Sequence, residues 1–190
     1  MKILSMFVLA ALVNSEGQSA WTPQPSVAGE TLTSVFFVNQ DTGFVAGPSG
    51  NILKTINGGT NWVPQNSGVA IPLNSIHFVN ANVGYAVGIQ GRVVKTVDGG
   101  STWIPRPATE PAVDLSSVHF VAPDTGYAAG FEYIFKTVNG GGTWAIQARA
   151  RDSTFSSMDF VSPSTGFVVG PTIKKTIDGG VNWLTEQGTG

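Results

Sequence analysis

Any chemistry in this chain would have to come from very few side chains. There is no cysteine, which excludes a disulfide framework and a thiolate metal centre, and there are two histidines, His77 and His119. Glycoside hydrolysis needs two suitably spaced carboxylates. Here the acidic residues Glu30, Glu110, Asp114, Asp124, Glu132, Asp152, Asp159 and Glu186 are scattered. Neither histidine stands in a Ser-His-acid pattern or beside a nucleophile signature. The two histidines share one place in successive copies of a repeat, where Phe36 and Asp159 stand in the other copies. They could line a common face, yet without Cys or carboxylate partners nearby in sequence they read as polar substitutes at a semi-exposed position, and no metal is expected. Lys54, Lys95, Lys136 and Lys175 recur before Thr, a pattern that suits a stem covering apolar surface better than a base. The glycine-rich turns precede no helix that could hold a phosphate. Ten basic and twelve acidic residues give a net charge of −2, which points away from nucleic acid. The expectation is a non-enzyme without cofactor.

The remaining candidates are residues that break the repeat. The connections at 48–51 (PSGN), 89–92 (IQGR), 131–133 (FEY) and 171–172 (PT) differ from copy to copy, as do the linkers carrying Arg106, Glu110, Asp114, Arg149, Arg151 and Asp152. Variable loops on a regular scaffold are where recognition is normally placed. Arg92, Glu132 and Tyr133 on the first set, and the Arg149/Arg151 pair on the second, are therefore the binding candidates.

The elements that must position them follow from periodicity. Tryptophans fall at 21, 62, 103, 144 and 183, spaced 41, 41, 41 and 39 residues apart. Phe37, Phe78, Phe120 and Phe160 keep the same beat, as do Gly43, Gly84, Gly126 and Gly166. A period near 40 with short apolar runs and Gly-rich turns indicates β-propeller blades. The composition agrees: 42% hydrophobic and 12% charged excludes disorder, and 24 Gly with 11 Pro opposes long helices. Each unit divides into strands A to D, in the second copy Leu73 to Val79, Gly84 to Gly88, Arg92 to Thr96, and a strand D beginning at Trp103. Asn57-Gly58-Gly59, Asp98-Gly99-Gly100, Asn139-Gly140-Gly141 and Asp178-Gly179-Gly180 form the C-to-D hairpin turns.

These turns, in TINGGTNW, TVDGGSTW, TVNGGGTW and TIDGGVNW, resemble the Asp-box (BNR) motif. The whole unit resembles the photosystem II assembly-factor propeller repeat, which is also widespread in secreted bacterial proteins, over residues 21–190. The resemblance implies that Asn57, Trp62, Asp98, Trp103, Asn139, Trp144, Asp178 and Trp183 are structural turn and blade residues, not catalytic ones. It also implies a scaffold that binds a protein or an envelope macromolecule. Two other readings stay open: a fragment of an Asp-box glycoside hydrolase, sialidase-like or xyloglucanase-like, and a surface adhesin or matrix component.

Residues 1–19 have the shape of a secretory signal peptide: Lys2, an apolar run from Ile3 to Val13, then small residues at Gly17, Ser19 and Ala20. The expected mature chain is 20–190, exported to the periplasm or the exterior and without a membrane span. Blades are expected at approximately 30–68, 71–110, 113–151 and 153–190, with an extra strand at 21–27. Four repeats plus that strand suggest a partial ring of a six- to eight-bladed propeller, able to self-associate.

Overall fold

The computed structural model describes residues 31–186, so the signal-peptide segment and the Trp21 strand lie outside the described residues. The described chain is all β, in four blades. The first blade holds β1 (Ser34–Phe37), β2 (Gly43–Ala46), β3 (Ile52–Thr55) and β4 (Val63–Gln65). The second holds β5 (Leu73–Phe78), β6 (Gly84–Gly88), β7 (Val93–Thr96) and β8 (Ile104–Arg106). The third holds β9 (Leu115–Phe120), β10 (Gly126–Thr137) and β11 (Ala145–Thr154), and the fourth β12 (Ser157–Phe160), β13 (Gly166–Val169), β14 (Ile173–Thr176) and β15 (Leu184–Thr185). Pairing within each blade is antiparallel and follows chain order.

Strand D starts one residue after the tryptophan, at Ile104 in the second blade. Trp103 stands at the mouth of the strand, edge-on to Phe78 with ring centroids 5.8 Å apart. Phe37–Trp62, Phe120–Trp144 and Phe160–Trp183 repeat that geometry. Trp103 is buried, whereas Trp62, Trp144 and Trp183 are half-buried.

The Asp-box turns are closed by side chains. Asp98 Oδ1 accepts the Thr96 hydroxyl at 2.8 Å and the Thr102 N–H at 2.9 Å, and Oδ2 accepts the Thr102 hydroxyl at 2.6 Å. The Thr96 hydroxyl in turn accepts the Gly100 N–H at 2.9 Å. Asn57 and Asn139 make the Oδ1 contacts in their own turns, so the amide serves as well as the carboxylate. Gly99 and Gly100 have φ of 67° and 82°, the left-handed region that costs a side chain but not glycine. Gly100 also lies against the Phe44 ring of the preceding blade, where a Cβ would collide.

The core is divided among the seams between blades. Phe44, Ala46 and Ile52 meet Leu73, Ile76 and Phe78; Tyr85, Val87 and Val93 meet Leu115, Val118 and Phe120. Tyr127, Ala129 and Ile134 meet Phe155, Met158 and Phe160. Period-2 alternation sends successive residues of strand B to opposite seams, which is why Phe44 faces forward and Val45 backward. Strands β1, β5, β9 and β12 neighbour one another from blade to blade and form the inner layer.

Candidate functional site

Antiparallel order puts the B-to-C turns and the D-to-A linkers at one end of every blade, and the Asp-box turns at the other. At the first end of blade two the two sets are bonded together. Gly91 N–H donates to Val113 O at 2.6 Å, Thr109 N–H to Gly91 O at 3.1 Å, and Gln90 N–H to Asp114 Oδ1 at 2.9 Å. The first two blades build this turn alike, as a single 3₁₀ turn at Pro48–Gly50 and Ile89–Gly91.

Blade three departs from the pattern, and here two expectations are corrected. Residues 131–133 are not an open loop but part of β10, and Arg149, Arg151 and Asp152 lie in β11 instead of in a linker. Lys136 lies 5.4 Å from the centre of the Tyr127 ring, so β10 doubles back between them. The reversal falls where Glu132 has φ 63°. Its first half pairs with β9 and its second with β11, with a register shift between Phe131 and Tyr133. A reversal this short leaves the Glu132 side chain only 11% exposed, against β11.

The carboxylate is fully engaged there. Oε2 accepts Arg149 Nε at 2.8 Å and Nη2 at 2.6 Å, and Oε1 accepts the Asp152 N–H at 3.0 Å. The Asp152 N–H, then Arg149, hold Glu132 below the ordinary carboxylate range. The Arg149 guanidinium lies 5.3 Å from the centre of the Tyr133 ring, and Tyr133 stacks on Phe135 at 5.6 Å. Glu132, Tyr133 and Arg149, placed in two separate sets from sequence, are thus one cluster. Arg149 keeps 46% of its side chain in solvent. Arg151, on the same strand, is exposed, and its side chain makes no hydrogen bond or ion pair among the described residues. Arg92 stands apart from this cluster, after the blade-two turn, with its Nε buried and unpartnered among the described residues.

This end of blade three therefore offers a guanidinium held flat by a buried carboxylate, an aromatic face beneath it and a second exposed guanidinium. Guanidinium groups so arranged are suited in chemistry to carboxylates and peptide carbonyls. Asp152 is the contributor that sequence reasoning missed, because it acts through its backbone N–H and not its side chain.

The histidines do share a face. His77 and His119 rings lie 4.4 Å apart on the inner strands, flanked by Phe36 at 5.0 Å and Phe160 at 5.6 Å. His119 Nδ1 is 3.2 Å from Asp159 Oδ1, and His77 Nδ1 accepts the Phe120 N–H at 3.4 Å. Burial first, then the neighbouring His119, lowers the His77 pKa to about 4, and burial lowers His119. No group of three or more potential metal ligands occurs among the described residues. No helix there is long and apolar enough to cross a membrane. The recurrent lysines do more than cover apolar surface: Lys54 and Lys136 lie over aromatic rings and donate to the carbonyls of Gly99 and Gly179, each at 2.6 Å.

Neighbouring inner strands of successive antiparallel sheets, with Asp-box turns at one end, define a β-propeller. Residues 65–149 match the family model for the photosynthesis system II assembly factor YCF48. No curated protein matches the sequence. Among solved structures, YCF48 bound to D1 peptide is 17% identical over 82% of this chain and 68% of that one, with a TM-score of 0.58. An ancestral GH74 enzyme is 17% identical over 91% of this chain but 26% of its own, with a TM-score of 0.69. The GH74 enzyme of Niastella koreensis is 16% identical over 81% of this chain and 30% of its own, with a TM-score of 0.65. At such identities the structural likenesses establish the fold.

Proposed function

We propose that this chain is an exported, non-enzymatic propeller scaffold that binds a segment of a partner protein at the B-to-C end of blade three. The observation that supports this most directly is the break in the repeat at blade three. It gathers Glu132, Tyr133 and Arg149, which lie in the stretch that matches an assembly-factor family, beside the exposed Arg151 just beyond it. Solved YCF48 carries a bound peptide, which makes a protein segment the first ligand class to test. A guanidinium pair over an aromatic ring favours a segment with a carboxylate, from an acidic side chain or a chain terminus.

The test is affinity capture from an envelope extract with the wild-type chain and with R151E and R149A. A partner retained by the wild type and lost from both variants supports the proposal; a partner retained equally by all three refutes the assignment of this end. N-terminal sequencing of exported protein should begin at Ala20. The GH74 likenesses motivate one competing reading, a glycoside-hydrolase part. Against it, Glu132 is engaged by Arg149 and the Asp152 N–H, and Asp98 and Asp178 are engaged in turns. Release of reducing sugar from xyloglucan or another β-glucan would establish the competing reading.

A further inference from the structure

The outer strand of each blade is a sheet edge, and the blades guard that edge differently. In blades one and two strand D is three residues long with proline at its centre, Pro64 in β4 and Pro105 in β8. Proline has no N–H to offer, so an edge that carries it is a poor template for another strand. In blade four strand D is only Leu184–Thr185, too short to serve as one. Blade three has neither protection. Ile146 stands where the prolines stand and in the same register: Pro64 lies opposite Leu53, Pro105 opposite Val94 and Ile146 opposite Phe135. Strand β11 is ten residues long, and among the described residues it pairs with β10 alone.

Its regular stretch lies between two irregularities: Gln147, which is skipped where the β10 register shifts, and Asp152, with φ 55°. Side chains alternate along it. Ala148 and Ala150 pack against the cluster that holds Tyr127 and Phe155. Arg149, opposite Tyr133, and Arg151 lie on the other face, and both are exposed. Two carbonyls of the strand take only long bonds from neighbouring side chains, Ile146 O from Gln147 Nε2 at 3.4 Å and Arg151 O from Ser153 Oγ at 3.3 Å. A strand laid on this edge would supply main-chain donors and would set its own side chains in the same alternation. Every second one would then stand beside Arg149 and Arg151, and those between beside two alanines.

We infer that β11 receives the partner segment as an added strand, and that this segment is extended with acidic residues at alternate positions. The mode rests on the partner-binding reading of blade three and adds how the segment is held. Main-chain hydrogen bonds to the edge hold it, and its carboxylates fix the register on the two arginines. Charge selects the occupant. Arg149 is matched by Glu132, but Arg151 has no counter-ion among the described residues, so the strand carries positive charge that an acidic segment neutralises.

The probe is a terminally blocked, dye-labelled peptide of alternating Glu and Thr, about six residues long, titrated into the full chain by fluorescence anisotropy. Two N-methylated forms accompany it, one methylated at every Glu and one at every Thr. In an added strand the N–H groups of alternate residues point at the receiving edge and those between point away. One methylated form should therefore bind about tenfold more weakly than the parent or worse, and the other should bind like it. I146P, which gives blade three the proline of blades one and two, should weaken the parent peptide by about tenfold with an unchanged circular dichroism spectrum, and so should R151E. The methylated pair needs no variant, so a misfolded I146P leaves the test intact. Equal affinities for the two methylated forms overturn the inference, as does full-strength binding to a folded I146P or no binding of the parent by the wild type. Methylated forms that bind alike, with the envelope partner still lost from R149A and R151E, remove strand addition and leave the binding end of blade three in place. Retention of that partner by both variants removes the binding end itself.

Discussion

The paired histidines of the inner layer should make the fold sensitive to mild acid. His77 is packed between Phe36 and His119, and its pKa is lowered to about 4 from an ordinary value of 6.5, by burial first and then by His119. Asp159, 3.2 Å from His119, opposes the shift of both histidines. The sign comes from linkage. Above pH 6.5 His77 is neutral in both folded and unfolded chains, and nothing is gained or lost. Between pH 6.5 and about 4 the unfolded chain takes up a proton that the folded chain refuses, so stability falls; below about 4 both are protonated and the loss stops growing. Integrating that difference gives about 2 kcal/mol lost between about pH 8 and about pH 5, and about 3 kcal/mol in all. His119, also lowered, adds in the same direction.

The assay is urea unfolding followed by tryptophan fluorescence across that window, for the wild type and for H77F. Phenylalanine is the informative replacement because Phe36 holds the same place in blade one. H77F should flatten the wild-type dependence by most of that loss, at the cost of one long hydrogen bond from the Phe120 N–H. An equal acid dependence in H77F and wild type would refute the reasoning. It would mean that His77 is solvated and that carboxylates set the slope.

Three further outcomes are expected. Trp103→Ala should lower stability by about 3–5 kcal/mol, because the indole is buried edge-on to Phe78, while Trp62→Ala, half-buried at the open end, should cost clearly less; urea midpoints compare them. Asp98 and Asp178 have pKa values lowered to about 2, Asp98 first by the Thr102 hydroxyl and Asp178 first by the Asn182 N–H, so their contribution is complete above pH 3.8 and lost as pH falls to about 2. D98N should match the wild type at neutral pH, since Asn57 and Asn139 close the same turn, and show a shallower acid transition. E132Q should leave the fold intact but free Arg149 from the Tyr133 face, seen as faster hydrogen exchange at the Asp152 amide.

What a sequence shows depends on how often a feature is repeated. The strands, the Asp-box turns and the blade count are legible because the same residues recur at one spacing: Gly84 to Gly88 is strand β6 as expected. The histidine column is legible too, as one register position occupied by Phe36, His77, His119 and Asp159. What the repeat hides is its own seams. The lysine-to-carbonyl bond needs a partner in the next blade, and a carbonyl leaves no trace in the residue type. Blade three escapes a sequence reading for a related reason. Its B-to-C connection is one residue too short to resemble the others, so Glu132 and Tyr133 look like an exposed loop. Their pairing with Arg149 requires the doubling back of β10, which no local pattern of residue types specifies.

That doubling back also separates strain from function in this fold. Ser49, Gln90 and Glu132 occupy equivalent turns with φ of 57°, 56° and 63°, so a left-handed non-glycine residue is the common way that three blades pass from strand B to strand C. Strain at Glu132 is therefore no mark of a site. The difference lies in the next residue along the chain. Ser49 and Gln90 are followed by Gly50 and Gly91, themselves at positive φ, and the Gln90–Gly91 turn is bonded to the next linker. In blade three that glycine is gone, Tyr133 enters the strand, and the Glu132 carboxylate takes the Asp152 N–H. The replacement converts a backbone clasp into a side-chain clasp, and a side-chain clasp ends in a guanidinium that can face outward. Arg149 is 46% exposed there, paired with the Glu132 carboxylate that also takes the Asp152 N–H. A turn without that glycine thus replaces a structural closure with a charged, oriented surface.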